Sequence, residues 1–338
     1  MKKVTMADVA KLANVSKSTV SQYLNQRYEY MSEETRKRIA RAIEELGYQP
    51  NVIARSLKQK TTATIGVIVF NMLHMLTTEV LHAVEEECQK RGFHVIVCNS
   101  DDDPEKEKKY VDMLLAKQVD GLIVFPTGKN EEMYRHLAEE HFPLVFVDRM
   151  VPGVEIDSVL LDNFMAAEMA VDYLITHGYD RIAIVTPPLV AHNVPRMERF
   201  EGFCKAMKKR GLDVGDMNVI TANPAVLSEE LKKRFTKPER PNALFAINDL
   251  TLMGILRFAK ETDIRMPEDL GVINIDDVPF ADIYTPVLTT IAQPTFAMGK
   301  KASERVFAQI DQKRKGKPRV FRFPPILKER TSIRRKDK

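Results

Sequence analysis

Seven short, nearly unbroken apolar runs recur between residues 65 and 275 of this 338-residue chain, and they restrict its fold more than any other feature. They lie at 65–69, 94–98, 121–125, 144–147, 182–185, 243–246 and 272–275. Runs this continuous suit strands covered on both faces, the condition of a parallel sheet. Between them lie amphipathic segments at about 78–91, 104–117, 131–140, 163–177, 198–210, 227–235 and 250–261. Such alternation predicts an α/β body with right-handed crossovers. The length exceeds one ordinary core, so two or three domains are expected.

The first sixty residues follow a different period. Thr5 is a natural N-cap, and Val9, Ala10, Leu12 and Ala13 give the segment after it an apolar face at helical spacing. Asn14 tolerates the left-handed geometry that stops a helix, and Val15 can plug the turn. Ser16 then caps a second helix from Lys17 to about Leu24. Two short helices around a tight turn form the helix-turn-helix pattern, whose second helix enters the DNA major groove. A third helix opens at Ser32, carries Ile39, Ala42, Ile43 and Leu46 on one stripe and stops at Gly47, with Pro50 blocking continuation. Residues 51–58 allow one or two helical turns, marginal in isolation, and 59–64 read as linker.

Charge agrees with that division. Residues 1–60 hold 12 Lys and Arg against 6 Asp and Glu, whereas the whole chain carries only +4. Positive charge thus gathers where phosphates would need neutralising. No apolar run reaches the length of a membrane span, and no apolar core follows the basic N-terminus as in a signal peptide. Cys88, Cys98 and Cys204 lack metal-ligand spacing. The expectation is a cytoplasmic, reduced protein with no cofactor, no metal and no membrane partner.

In these residues the chain resembles the LacI family of bacterial transcription regulators. The match begins at Val4 and Thr5 and runs to the C-terminus. It includes Asp8-Val9-Ala10, Val15-Ser16, Thr19-Val20-Ser21, Leu24-Asn25, Gly47-Tyr48, Pro50-Asn51, Ala54-Arg55 and Leu57. The resemblance implies DNA contacts from Thr5, Ser16, Lys17, Ser18, Thr19, Ser21, Gln22, Asn25, Asn51, Ala54, Arg55 and Leu57. Lys17, Ser18 and Gln22 match the base-reading positions. Most members carry Arg where this chain has Gln22; Arg suits guanine, and Gln suits adenine. Leu57 matches the leucine that paired hinge helices insert into the minor groove, and Ala54 would let those helices approach closely.

The implied architecture is a small all-α helix-turn-helix head with a hinge helix, followed by a two-lobed, periplasmic-binding-protein-like α/β body of parallel sheets flanked by helices. Its parts are a head at 1–49, a hinge and linker at 50–63, a first lobe at 64–161 plus 292–324, and a second lobe at 162–291 plus 325–338. A last strand is expected near 325–332. The implied partners are double-stranded operator DNA, a second copy of the chain and a small-molecule effector. Dimer contacts are expected from the segments at 78–91 and 250–261. The C-terminal tail from Thr331 shows no heptads, which favours a dimer over a tetramer.

Ligands of open α/β sheets bind beyond the carboxyl ends of the strands. Polar groups stand there at His74, Asp148-Arg149, Asp162-Asn163, within 187–199, at Asn248-Asp249 and at Asp276-Asp277. Acids, amides and arginines in such places suit a hydroxyl-rich molecule. The resemblance implies effector contacts at Asp148, Arg199, Asn248 and Asp276, with Arg196 one turn before Arg199. Arg199 could instead pair with Asp276, Asp249 reads equally as a helix cap, and Asp162 and Asn163 read as helix openers. Where most members have an Asn-Pro-Phe-Phe-like stretch, this chain has His74-Met75-Leu76-Thr77. With Arg149, Arg196, Arg199 and His192, His74 could complete a basic pocket, hence the hypothesis of a sugar acid or sugar phosphate rather than a neutral sugar. Residues 19–25 and 28–32 also resemble the ketodeoxygluconate-operon repressors of the family.

The expected function is repression of carbohydrate or sugar-acid catabolic genes, relieved by effector. A corepressor-dependent or global regulator of the same family is the alternative. An α/β sugar-metabolising enzyme would need a glycine-rich phosphate loop, a nucleophile elbow or metal-ligand spacing, and the sequence has none of them.

Overall fold

The structure, a computed structural model, describes residues 4–48, 61–312 and 317–335. The chain divides into two compact units at Thr62/Ala63.

The smaller unit holds α1 (Met6–Leu12), α2 (Lys17–Leu24) and α3 (Glu33–Leu46). Local caps fix all three. Thr5 precedes α1, and the Asp8 carboxylate accepts from the Thr5 N–H at 2.8 Å and from its hydroxyl at 2.6 Å. The Thr5 hydroxyl therefore spends its proton on Asp8. Asn14 adopts φ 51, which ends the first helix. Ser16 Oγ accepts from Thr19 N and Ser32 Oγ from Thr35 N, and Gly47 terminates α3 at φ 57. Val9, Ala10, Ala13, Val20, Ile39, Ala42 and Tyr48 form the core. Leu12, expected on the buried face, is 45% exposed instead, because at helical spacing it lies to one side of the stripe that Val9, Ala10 and Ala13 bury.

The larger unit contains two six-stranded sheets. In chain order the elements are β1 (Thr64–Val69), α4 (Met75–Lys90), β2 (His94–Asn99), α5 (Pro104–Ala116), β3 (Gly121–Val124), α6 (Glu131–Glu139), β4 (Leu144–Val147) and β5 (Asp157–Leu161). Then follow α7 (Asn163–Thr176), β6 (Ile182–Thr186), α8 (Val194–Lys209), β7 (Val219–Thr221), α9 (Leu227–Phe235), β8 (Ala243–Ala246), α10 (Asp249–Thr262) and β9 (Gly271–Ile275). The last are β10 (Thr289–Ala292), α11 (Thr295–Ile310), β11 (Val320–Phe323) and β12 (Ile326–Lys328). The first sheet runs β11-β5-β4-β3-β1-β2 and the second β12-β10-β9-β8-β6-β7. All pairings are parallel except β10 with β12.

Each sheet is packed on both faces: Val67, Ile123, Val145 and Val159 face one layer of the first, and Ile68, Leu122, Val124 and Phe146 the other. The chain crosses between sheets after β5, after β10 and after β11. Strands β5, β7, β10 and β11 are not among the seven apolar runs, nor is β12, which falls within the last strand expected near 325–332. Asp157, Ser158 and Thr289 break the first and third, β7 has 3 residues, and β11 is half-exposed. Ala292, the first residue of the segment expected to return to the first lobe, is the last residue of β10 in the second sheet. Helix α8 starts before its amphipathic stretch, because Asn193 Oδ1 caps it and Pro195 fits its first turn. No helix among the described residues is long and apolar enough to cross a membrane.

Candidate functional site

A cleft of about 470 Å³ lies between the carboxyl ends of the two sheets, within the range of small-molecule pockets. All six residues expected to meet an effector line it: His74, Asp148, Arg196, Arg199, Asn248 and Asp276. The first two come from the first-sheet half and the others from the second. Two larger and more open hollows, at 259–334 and 135–318, take in none of the six.

Burial gives these groups their electrostatic weight. Arg199 is 6% exposed; its Nε donates to Asn163 Oδ1 at 2.8 Å and its Nη1 to the Ile247 carbonyl at 2.8 Å. The alternative pairing of Arg199 with Asp276 is not made; the guanidinium is held by Asn163, at the start of α7, and by the Ile247 carbonyl. Arg196 Nη1 donates to the Pro188 carbonyl at 2.5 Å. Among the described residues, neither arginine has a carboxylate within ion-pair distance. Burial, with Arg149 nearby, presses Arg196 below its ordinary value. Arg149 pairs with Asp102 at 2.6 Å and lies over the Phe70 ring at 4.2 Å. His192 is pushed below its ordinary value by burial and Lys129.

Carboxylates line the same cleft. His74 Nδ1 stands 3.2 Å from Asp249 Oδ2, and its ring packs against Phe70 at 5.3 Å. Burial raises Asp249 above the usual carboxylate range; His74 opposes this and Asp276 adds to it. Burial likewise raises Asp148, against Arg149 and Arg199. Gln293 Nε2 donates to Asp276 Oδ1 at 2.7 Å, leaving the buried Gln293 Oε1 without a hydrogen-bond partner. His74, Asp249 and Asp276 bring one ligand atom each within 4.8 Å of one another. Such a group could hold a cation, and its carboxylates equally accept from neighbouring hydroxyls. Asn248 caps α10, its Oδ1 accepting from Thr251 N at 3.1 Å.

Asn248, not Asp249, is the cap of α10; Asp249 is the first residue of that helix and the partner of His74, so the residue expected as a cap belongs to the site instead. Asp277 turns away to Thr290 and Arg330. Asp162 caps α7 through Met165 N, whereas Asn163 reaches Arg199. Sequence reasoning missed Asp102 and Gln293. Asp102 follows β2 and could have been found by treating that strand end like the others. Gln293 follows β10, whose threonines hid the strand.

In the smaller unit, Ser16, Lys17, Ser18, Gln22 and Asn25 are exposed on or beside α2, and Thr5 is exposed ahead of α1. Thr19 and Ser21 are half-buried. Ser16 Oγ lies 2.7 Å from Ser18 Oγ, and Asn25 Nδ2 donates to the Ser21 carbonyl at 2.7 Å. An exposed polar helix face of this kind can present hydrogen-bonding groups to base edges. Asn51, Ala54, Arg55 and Leu57 lie outside the described residues.

Known proteins resemble the chain over nearly its whole length. Residues 5–51 match the bacterial regulatory proteins of the lacI family, and residues 171–333 match a periplasmic binding protein-like domain. The probable HTH-type transcriptional regulator EndR of Paenibacillus polymyxa is 43% identical over 333 residues, covering 97% of this chain and 98% of that protein. The HTH-type transcriptional regulator KdgR of Bacillus subtilis (strain 168) is 33% identical over 338 residues, covering 97% of each. The lac repressor dimer bound to operator and the anti-inducer ONPF superposes with a TM-score of 0.86 at 26% identity, covering 98% of this chain and 100% of that one. The transcriptional regulator CelR in complex with cellobiose gives 0.72 at 25% identity, with the same coverage.

Proposed function

The chain belongs to the lacI family of bacterial regulatory proteins, and on that premise we propose that it is a cytoplasmic repressor of carbohydrate or sugar-acid catabolic genes. It is a DNA-binding transcriptional regulator and not an enzyme. In our reading it binds a near-palindromic operator as a homodimer and is released when a small molecule occupies the interlobe cleft. The parts are the head at 1–49, the hinge at 50–63 and the two lobes bounded as above. The DNA contacts are those assigned from the sequence, with Lys17, Ser18 and Gln22 reading bases and Leu57 acting as wedge.

One observation carries the effector site: His74, Asp148, Arg196, Arg199, Asn248 and Asp276, spread over about two hundred residues, line one cleft. Its charge supports an acidic sugar. Arg196 and Arg199 donate to carbonyl and amide oxygens and make no direct ion pair among the described residues, so a ligand carboxylate or phosphate would pair with them directly. His74, Asp249, Asp276 and Gln293 would take the hydroxyls. The likeness to KdgR agrees with the resemblance to the ketodeoxygluconate-operon repressors read from the sequence. A dimer is supported by the lac repressor dimer's likeness, by the exposed Leu73 leading into α4 and by the exposed Met253 of α10.

A thermal-shift screen with neutral sugars, sugar acids and sugar phosphates tests the assignment. Stabilisation by acids or phosphates is expected; stabilisation by neutral sugars alone would reject the anionic effector. Sedimentation at micromolar concentration should give the mass of a dimer.

A further inference from the structure

Arg199 is aimed by a chain of side chains that begins in the other lobe. The Arg322 guanidinium, on edge strand β11 of the first sheet, grips Glu198 with two bonds: Nη1 to Oε2 at 2.9 Å and Nη2 to Oε1 at 2.6 Å. Glu198 lies on α8, against the second sheet, and its side chain is 12% exposed. Its Oε2 also accepts from Asn163 Nδ2 at 2.9 Å, and Asn163 Oδ1 accepts from Arg199 Nε at 2.8 Å. Asn163 is 1% exposed, so both ends of its amide are committed inside the protein.

The order of these bonds is chemically forced. A carboxylate only accepts, so Glu198 obliges Asn163 to turn its NH2 outward and its oxygen toward Arg199. A reversed amide would set two donors against the Arg199 N–H and lose both bonds. Arg322, being forked, fixes the carboxylate plane as a single ammonium would not. With Nε on Asn163 and one Nη1 hydrogen on Ile247, three of the five Arg199 N–H groups are left for the cleft. The chain also straddles a crossover. Phe323 of β11 pairs with Leu161, the last residue of β5, and Asn163 opens α7 two residues later. Glu198–Arg322 is therefore a bond between lobes, beside the crossover that follows β5.

We infer that Glu198 and Arg322 are positioning residues for Arg199, holding its guanidinium toward the effector through the Asn163 amide and tying that posture to edge strand β11 of the other lobe. The inference rests on the reading that Arg199 meets the effector.

The test is made on full-length protein with Arg322→Ala, Arg322→Lys and Glu198→Gln. The first readout needs no ligand: the Arg199 Nε–H resonance in protein carrying ¹⁵N-arginine, assigned by its loss in Arg199→Lys. Arg322→Ala should shift this resonance and speed its solvent exchange on the order of tenfold, with the melting temperature nearly unchanged. Arg322→Lys should restore part of the protection, and Glu198→Gln should fall between. The second readout is affinity for D-glucuronate, which carries both a carboxylate and hydroxyls. Arg322→Ala should weaken it on the order of fivefold or more, the scale of an ordinary coupling between sites. An unmoved Arg199 resonance in Arg322→Ala and Glu198→Gln overturns the inference, as does equal destabilisation of the whole fold by Arg322→Ala and Arg322→Lys. If the wild-type protein ignores D-glucuronate, the anionic-effector reading loses support while the resonance still decides the positioning role.

Discussion

Asp148 and Asp276 occupy equivalent positions in the two halves of the body, and both stand in the left-handed region at φ 64 and φ 87. Each follows the corresponding strand, β4 or β9, and each donates its N–H to the next strand, to Val159 at 2.9 Å and to Ile291 at 3.0 Å. Non-glycine residues with positive φ cost free energy, and Asp is among those that tolerate it. The two lobes thus turn a carboxylate into the shared cleft by the same backbone device.

That placement makes Asp148 pH-sensitive. Burial raises its carboxyl, so the folded protein holds this proton more tightly than the unfolded chain. The bonus is complete below the unfolded value of about 3.9 and is lost as pH rises through the raised folded value. Asp148→Asn should therefore raise the melting temperature at pH 7, and the gain should shrink as pH falls toward 4. Melting curves across that range check this. A lower melting temperature for the variant at pH 7 would show that ion pairing with Arg149 outweighs burial.

Gly128, after β3, meets the main-chain oxygen of His192, after β6, with no room for a β-carbon, and its φ is +82. Gly128→Ala should force these two loops of opposite lobes apart. Effector affinity should fall on the order of tenfold, and effector-free operator binding should persist. Titration of both ligands checks this; unchanged effector affinity would mean that the loops can separate without opening the cleft.

Reading and switching should separate by mutation. Arg199→Ala removes a buried, hydrogen-bonded cation, a change that typically costs about 2–5 kcal/mol at a charged contact. The effector response should vanish with operator affinity intact. Leu57→Ala should lower specific operator affinity with little change in effector binding. Parallel loss of both functions in either variant would refute the modular reading.

Gln22 is exposed on α2 and is a candidate reader of adenine. Gln22→Arg should shift preference toward guanine at one position of each half-site, by about 1–3 kcal/mol. Selection of binding sites from random DNA with both proteins would show it. Identical selected sites would place Gln22 off the bases.

Much of this molecule was legible because its signals are local. Thr5, Ser16, Ser32 and Gly47 mark helix ends within four residues of what they cap, and the apolar runs announce strands covered on both faces. The cleft residues were legible for a related reason, since polar groups at the carboxyl ends of parallel strands converge wherever the sheets face one another. Beyond that, sequence separation hid the answer. Asp249 reads as a cap until the lobes bring His74 to it from 175 residues away. Gln293 stayed invisible because β10 carries threonines where a buried strand usually carries aliphatics.

What the sequence by itself determined was the pair of units, the basic head with its exposed α2 and the set of polar strand ends, since caps and periodicity act within a few residues. Only the tertiary structure decided how those polar groups are shared: Arg199 with Asn163 and not Asp276, Asp249 with His74, Glu198 with Arg322. The physical reason is that a buried charge takes whichever partner helix packing within a lobe, or the crossings between sheets, bring within about 3 Å, and no local pattern encodes that distance.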